Sequence, residues 1–252
     1  MRIYYIDEAD GPTCYVRSAL GVDAERWNSL HSSVESWRYA MAGDYNVPTS
    51  RKLDAADLLA RRGNLVRIDN TGRRLTPEQG AEIFMDGLRI IESASYRRGG
   101  IDVINVCLRK ADVRDHEKVS LDRLLNRINT SAKADGRYAH LIFDEEGEWM
   151  VGQLHDRLRV RNPVPSRYEV WEDGGATKDI PIERIIGGPS FRSSQDDDLL
   201  PMADLIAHAL LKQEEKPSPS VTELGLHLAF GILKRVLNRN ASRSDPQGVV
   251  RR

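Results

Sequence analysis

With 252 residues, of which 40% are hydrophobic and 30% charged, the chain can bury the core of one large domain and is too polar for a membrane protein. The formal net charge of −1 excludes a uniformly basic nucleic-acid coat, although Arg97-Arg98, Arg109-Lys110 and the C-terminal residues concentrate positive charge locally. Cys14 and Cys107 lack metal-binding spacing and argue against a disulfide framework. Without a signal-peptide pattern or an apolar run of membrane-spanning length, we expect a cytoplasmic protein with no membrane partner.

The first half of the chain is predicted to begin with two antiparallel strands, because Gly/Pro punctuation separates two short apolar runs. The helix that begins at Thr76-Pro77 has the clearest start signal: a capping threonine, a proline at the first helical position and a glutamine three residues after the cap. The apolar run that follows has the character of a central strand. The predicted elements here are strands 2–7, 13–22 and 101–108, helices 24–41 and 76–97, and a short helix or strand-to-helix transition over 53–59.

Helices and strands alternate in the second half, which favours a partly parallel sheet flanked by helices. A Pro/Ser-rich linker, 216–220, is predicted to separate a main domain, 1–215, from a C-terminal helix, 221–238. The tail, 239–252, is predicted to be disordered. The remaining predicted elements are helix 121–134, strand 139–143, helix 151–160, edge strand 168–171 and helix 199–212.

Three aspartates are the candidate functional residues of this chain. Asp7 and Asp144 each end a predicted strand, and Asp204 lies among apolar residues on a helix, where burial of an acid is costly. If the two strands are parallel neighbours, their carboxyl ends place Asp7 beside Asp144, and the helix brings Asp204 over that edge. Such carboxylates repel one another unless a cation is present, and their hard oxygen ligands suit Mg²⁺ or Mn²⁺. We therefore predict a metal site at Asp7, Asp144 and Asp204, with Asp198 as a secondary candidate ligand.

Structural explanations for these acids stay open. Asp7 can simply start a turn, Asp144 can belong to a solvated acidic turn, and Asp204 can form a salt bridge with an arginine. The acidic run 196–198 is predicted to place negative charge at a helix N-terminus. The four tryptophans are interpreted as packing residues. Four arginines are candidates for contacts with a phosphate backbone or, alternatively, a solvated helix face: Arg157, Arg159, Arg161 and Arg167.

Three stretches together resemble the domain-of-unknown-function 3800 family: YYIDEADG at the start, HLIFDEEGE followed by RNPVPS, and PSFRSSQDDDLLPMADLIAHAL. The resemblance covers residues 1 to about 212. It implies a ribonuclease-H-like α/β fold, a mixed sheet with helices on both faces, to which this chain adds a C-terminal helix. It also implies two Mg²⁺ or Mn²⁺ ions, one activating water and the other stabilising the leaving oxygen. Residue by residue, Asp7 matches the first-strand acid, Asp144 the middle strand-end acid and Asp204 the helix acid, with Glu8 and Glu145 as auxiliary ligands.

The expected function is therefore a divalent-metal-dependent nuclease that hydrolyses RNA or DNA. The alternative is a catalytically degenerate binding or assembly module of the same fold in a phage, mobile-element or defence system. That alternative is motivated by departures from the family pattern at Lys52, Arg109 and Pro201. Leu224, Leu228, Ile232 and Val236 give the C-terminal helix an apolar face, which can dock a protein partner, form a homodimer or pack on its own domain.

Overall fold

The computed structural model describes residues 1–60, 75–94, 100–145, 147–166, 172 and 174–251, and the structural statements below concern these residues. It is a mixed α/β fold in which a five-stranded sheet is flanked by helices. The strands are β1 (Arg2–Asp10), β2 (Cys14–Asp23), β3 (Ile101–Arg109), β4 (Ala139–Asp144), β5 (Pro163–Pro165), β6 (Thr177–Asp179) and β7 (Ser190–Arg192). The helices are α1 (Trp27–Tyr45), α2 (Ala55–Ala60), α3 (Pro77–Ala94), α4 (His116–Ala134), α5 (Glu148–Val160), α6 (Leu200–Glu214) and α7 (Pro219–Glu223).

The sheet has the strand order β3-β2-β1-β4-β7, and β5 and β6 form a separate two-stranded sheet. β1 pairs antiparallel with β2, as predicted from the Gly/Pro punctuation between them. β1 also pairs in parallel with β4, in a register that joins Tyr5 to Ile142 and Ile6 to Phe143. The prediction that the two acid-bearing strands are parallel neighbours is therefore confirmed.

β3 is an outer strand of the sheet, and the prediction of a central strand was wrong. Its continuous apolar run reflects burial on both faces, and a later part of the chain covers the edge that faces away from β2. The Val103 amide donates to the Val236 carbonyl and the Cys107 amide donates to the Val250 carbonyl, each at 2.9 Å. The edge is therefore closed by two short segments around residues 236–238 and 250.

Successive side chains of β1 lie on opposite faces of the sheet, and each face packs in its own apolar layer. Tyr5 and Ala9 pack with α1, α3 and α6 on one face, which we call the α6 face. Tyr4 and Ile6 pack with α4 and α5 on the opposite face, which we call the α4 face. Asp7 therefore belongs to the α6 face, whereas Glu8 belongs to the α4 face.

The C-terminal part of the chain belongs to the same core. In place of one helix over 221–238, α7 is followed by Gly225 at φ 68° and a 3₁₀ helix, Leu226–Arg235. Phe230 and Leu233 of that 3₁₀ helix are completely buried on the α6 face. This packing agrees with the simplest of the three alternatives, that the segment packs on its own domain.

The prediction of a disordered tail was also wrong. Val249 and Val250 are 0% and 3% exposed, and they pack into the apolar layers on opposite faces of the sheet. The polar composition of residues 239–248 hid this pair of apolar residues, which anchors the segment. Within the described residues, no helix is both long and apolar enough to span a bilayer.

Candidate functional site

A cleft of about 410 Å³ opens at the carboxyl ends of β1 and β4. It is bounded by β1, β4, α6, the loop that precedes α2 and the first turns of α4 and α5. Six carboxylates line it against two cations, Arg17 and Lys52. The six acids are Asp7, Glu8, Asp54, Glu117, Asp144 and Asp204.

Asp7 and Asp144 come together because the parallel register of β1 and β4 ends one residue before them, at Ile6 and Phe143. Asp144 follows Ile142 by two residues, so it shares the α6 face with Asp7. Each aspartate accepts a hydrogen bond from the next backbone amide: Glu8 N–H to Asp7 Oδ1 at 2.8 Å, and Glu145 N–H to Asp144 Oδ1 at 2.7 Å. One oxygen of each carboxylate is thus held by the backbone.

Asp204 reaches the same cleft from α6, with only 13% of its side chain exposed. The amide of Ala55, at the start of α2, donates to its Oδ2 at 2.7 Å. Its Oδ1 lies 3.4 Å from His208 Nε2, one turn further along α6. No arginine among the described residues pairs with Asp204, so the salt-bridge explanation does not account for its position.

The environment of the cleft disfavours ionisation of two of these acids. Burial raises the pKa of Asp7 well above its usual value, and the negative charges of Asp204, Glu8 and Asp144 add to that rise. Burial likewise raises the pKa of Asp204 to about 7, although the hydrogen bond from Ala55 opposes the shift. Ionisation of Asp7 and Asp204 is therefore disfavoured unless a cation compensates the charge of the carboxylates.

Lys52 supplies one such cation from the loop before α2. Its Nζ lies 3.4 Å from Asp144 Oδ2, and 40% of the side chain is exposed. Burial lowers the pKa of Lys52, but the carboxylates of Asp144, Asp7 and Asp54 outweigh this effect and the net pKa is raised. Lys52 thus places a positive charge among the acids of the cleft.

The secondary acids are distributed differently from the prediction. Glu8 borders the cleft from the α4 face, where its Oε2 pairs with the buried Arg17 at 2.8 Å. The Glu145 side chain is exposed and does not line the cleft. Asp198 lies near His31 Nε2, at 3.5 Å, outside the cleft, so it does not join the three aspartates.

One residue of the acidic run before α6, Asp197, places a carboxylate at the start of that helix, as predicted. Asp197 Oδ1 accepts hydrogen bonds from the amides of Leu199 and Leu200 at 2.8 and 3.1 Å. The other carboxylate oxygen, Oδ2, pairs with Arg192 at 3.1 Å. Asp197 therefore has a structural role at the helix N-terminus.

The candidate phosphate-binding arginines do not line the cleft. Arg157, Arg159 and Arg161 lie at or just beyond the last turn of α5, and Arg157 is about 14 Å along the helix from Glu148 in its first turn, at 1.5 Å per residue. Arg157 pairs with Asp122 at 3.3 Å. Arg167 and the predicted strand 168–171 lie outside the described residues.

The interpretation of the tryptophans as packing residues does not hold for Trp149, because its side chain is exposed. It lies in the first turn of α5 with 75% of its surface exposed. Its sequence neighbours Met150 and Val151 line the cleft, whereas Trp149 does not. Trp37, in contrast, is buried in the core of the α6 face.

Several cleft residues were not singled out as functional from the sequence: Asp54, Glu117, Ser194 and His208. For His208 a signal existed, because it follows Asp204 by four residues and so lies on the same side of the helix. Burial and the charge of Lys212 lower the pKa of His208 to about 4, so its imidazole is neutral near pH 7. Asp54 and Glu117 reach the cleft only through the tertiary arrangement of α2 and α4.

The donor set matches a hard divalent cation in kind and in charge. Asp7, Asp144 and Asp204 each have a carboxylate oxygen without a backbone hydrogen bond, and the cleft has an excess of negative charge. Across the described residues, however, no three His, Cys, Asp or Glu side chains form a group ready to hold a metal ion. A site of this kind suits Mg²⁺, which commonly takes one or two carboxylates and completes its coordination with water and substrate oxygens.

Comparisons of the chain with protein-family models, with curated proteins and with solved structures find no match.

Proposed function

We propose that the chain is a ribonuclease-H-like, divalent-metal-dependent nuclease that hydrolyses phosphodiester bonds in RNA or DNA. The observation that carries the proposal is the presence of Asp7, Asp144 and Asp204 on one face of the sheet, at the mouth of one cleft. The parallel pairing of β1 with β4 and the helices on both sheet faces are consistent with the fold that the family resemblance implies. A phage, mobile-element or defence setting remains part of this proposal.

Asp7, Asp144 and Asp204 would hold Mg²⁺ or Mn²⁺ through the oxygens that the backbone amides leave unused. When bound, the ion supplies activation of water and stabilisation of charge on the phosphoryl oxygens. The amides of Glu8, Glu145 and Ala55 hold the opposite oxygens and so fix the direction of the carboxylates. Lys52 offsets part of the negative charge next to Asp144, which reduces repulsion of an incoming phosphate.

We predict that Asp7→Asn and Asp204→Asn each abolish Mn²⁺-stimulated cleavage, because an amide cannot replace the charge of a metal-bound carboxylate. The assay is cleavage of labelled single-stranded and duplex RNA and DNA at neutral pH, with Mg²⁺ or Mn²⁺ and with a chelator. Asp196→Asn, at an exposed position outside the cleft, is the matched control and should retain full activity. Circular dichroism checks that each variant is folded.

Absence of any cleavage by the wild-type protein with either ion contradicts the proposal. Cleavage that survives both substitutions also contradicts it, because the activity would then belong to another site or to a contaminant.

A second candidate function, a non-catalytic binding or assembly module, is favoured by Lys52. Its ammonium group lies beside Asp144 and takes part of the role of a bound cation. Calorimetric titration with Mn²⁺ separates the two candidates. Absence of measurable Mn²⁺ affinity in the wild-type protein favours the module, whereas affinity that Asp7→Asn removes favours the nuclease.

A further inference from the structure

A second concave region lies at the opposite end of the sheet from the carboxylate cleft. It has a volume of about 790 Å³ and is formed by the starts of β1 and β3, the last turns of α4 and the segment 234–243. We call it the basic basin, because six cations line it against two carboxylates, Asp102 and Asp135. The cations are Arg2, Arg127, Lys234, Arg235, Arg239 and Arg243.

Some of this positive charge is already used within the protein. Arg2 pairs with Asp23, Asp102 and Asp135 at 2.9–3.2 Å, so both acids of the basin share the same guanidinium as an ion-pair partner. Arg235 pairs with Glu92 at 3.3 Å. The two acids of the basin therefore pair with Arg2, and the exposed residues around the edge of the basin remain positively charged.

Three cations on the rim are exposed and have no ion-pair partner among the described residues: Lys234, Arg239 and Arg243. They lie within ten residues, with Lys234 in the last turn of the 3₁₀ helix and Arg239 and Arg243 in the segment that follows it. Asn238 anchors that segment, because its Nδ2 donates to Ser131 Oγ at 3.0 Å and its backbone amide donates to the Val103 carbonyl at 2.9 Å. The three charges are therefore carried by a segment that is fixed to the sheet.

We propose that the basic basin binds the sugar-phosphate backbone of a nucleic acid, and the choice of this ligand rests on the proposed nuclease function. The carboxylate cleft has the opposite charge balance and repels a polyanion, so affinity for a nucleic acid must come from elsewhere on the molecule. Five of the six basin cations are arginines, which bind phosphate with two parallel hydrogen bonds. Thr130, Asn238 and Asn240 add polar groups that suit phosphate and sugar oxygens.

The composition of the basin disfavours an anionic membrane as its ligand. None of the large, exposed apolar side chains of the described residues lines it. Membrane-surface sites usually combine basic residues with such apolar or aromatic side chains. The lining apolar residues Val236 and Leu237 are buried in the protein core.

One nucleic acid is long enough to contact both ends of the sheet. From Arg2 in the basin to Asp7 in the cleft, β1 advances five residues, which is about 17 Å at 3.3 Å per residue. A duplex presents one phosphate per strand for about every 3.4 Å of its axis, so this distance corresponds to about five base pairs. An oligonucleotide of about 20 nucleotides is therefore longer than the separation of the two regions along the sheet.

The test compares Lys234→Gln/Arg239→Gln/Arg243→Gln with the wild-type protein. The probes are labelled oligonucleotides of about 20 nucleotides, as single strands and duplexes of DNA and RNA, in a chelator and over a range of salt concentrations. We expect at least a tenfold loss of affinity near 0.1 M salt. The slope of log affinity against log salt should become shallower by about two to three, since each lost phosphate contact removes roughly one unit.

The matched control is Arg89→Gln/Arg114→Gln/Lys216→Gln, which removes the same charge from exposed positions outside both the basin and the cleft. It should change affinity and salt slope little. An equal effect of the two variants, no effect of the basin variant, or no binding by the wild-type protein overturns the proposal. Loss of binding to phosphatidylserine vesicles with unchanged nucleic-acid binding also overturns it, in favour of a membrane.

Because binding is measured without divalent cations, this outcome is independent of catalysis. If the basin variant loses nucleic-acid affinity but the wild-type protein never cleaves, the basin stands and the nuclease proposal fails. If cleavage depends on Asp7 while the basin variant binds normally, the nuclease proposal stands and the basin fails.

Discussion

The environment of Asp204 moves the titration of its carboxyl group from acidic towards neutral pH. Its carboxyl group is nearly buried, accepts a hydrogen bond from Ala55 and has a pKa of about 7 in the folded protein, against 3.8 for an unperturbed group. Because the folded protein holds this proton more tightly than the unfolded chain, the carboxyl group favours folding at low pH. That contribution is lost as the pH rises from about 4 to about 7.

We predict that Asp204→Asn stabilises the metal-free protein progressively more as the pH rises from 4 to 8. The amide has the same shape and can still accept the hydrogen bond from Ala55, but it does not ionise. The gain in free energy of unfolding relative to wild type should be on the order of 2–4 kcal/mol at pH 8 and small at pH 4. Urea unfolding in a chelator at several pH values measures it.

The control for this experiment is again Asp196→Asn, whose difference from wild type should not depend on pH in this way. His208 contributes the opposite trend, because its pKa of about 4 makes folding more favourable as the pH rises towards 6.5. Burial and the charge of Lys212 lower the pKa of His208 against the opposing charge of Asp54, and both wild type and Asp204→Asn retain these groups. A pH-independent difference between these two proteins would contradict the assignment for Asp204.

Among the elements, β3 depends most on distant parts of the chain. Its outer edge donates to and accepts from residues 236–238 and 250, more than a hundred residues later. An open edge of a largely apolar strand is a template for aggregation, so the covering segment has a protective as well as a stabilising role.

We predict that a chain ending at Gly248 is less stable than the full chain and aggregates on heating. It loses the buried side chains of Val249 and Val250 and the two backbone hydrogen bonds between Val250 and β3. The matched variant Val249→Ala/Val250→Ala keeps the backbone bonds and should lose about 3 kcal/mol, from roughly 0.8 kcal/mol per buried methylene equivalent. Thermal unfolding with light scattering measures both effects, and equal behaviour of the truncated and full chains would contradict them.

At the scale of the whole molecule, the two apolar layers share β1, β2, β3 and β4, and each layer receives one residue of the Val249-Val250 pair. The sheet therefore couples the faces, and the segment after α6 is part of the core. Charge, in contrast, differs between the two ends of the sheet: acids line the cleft at one end, and cations line the basin at the other.

We predict a single cooperative unfolding transition, in place of separate melting of a domain 1–215 and an added C-terminal helix. Phe230 and Leu233 fill the α6 face, so their removal would open the main core. Tryptophan fluorescence and far-ultraviolet circular dichroism should give coincident urea transitions. A stable folded fragment released by proteolysis within 216–220 would contradict this expectation.

The sequence by itself determined the features that depend on local pattern. The apolar runs and their punctuation predicted β1, β2 and β4, and the capping box at Thr76 and Gln79 is present with both of its hydrogen bonds. The same patterns identified Asp7, Asp144 and Asp204 as unusual acids, because strand ends and apolar helix faces are visible in a single chain.

Only the tertiary structure decided what those acids meet. The pairing of β1 with β4 sets Asp7 beside Asp144, and the loop before α2 brings Lys52 to the same place from a distant part of the chain. The edge position of β3 and the order of the tail likewise depend on contacts between residues far apart in sequence. Hydrophobic pattern reports whether a residue is buried, whereas its partners depend on how the whole chain packs.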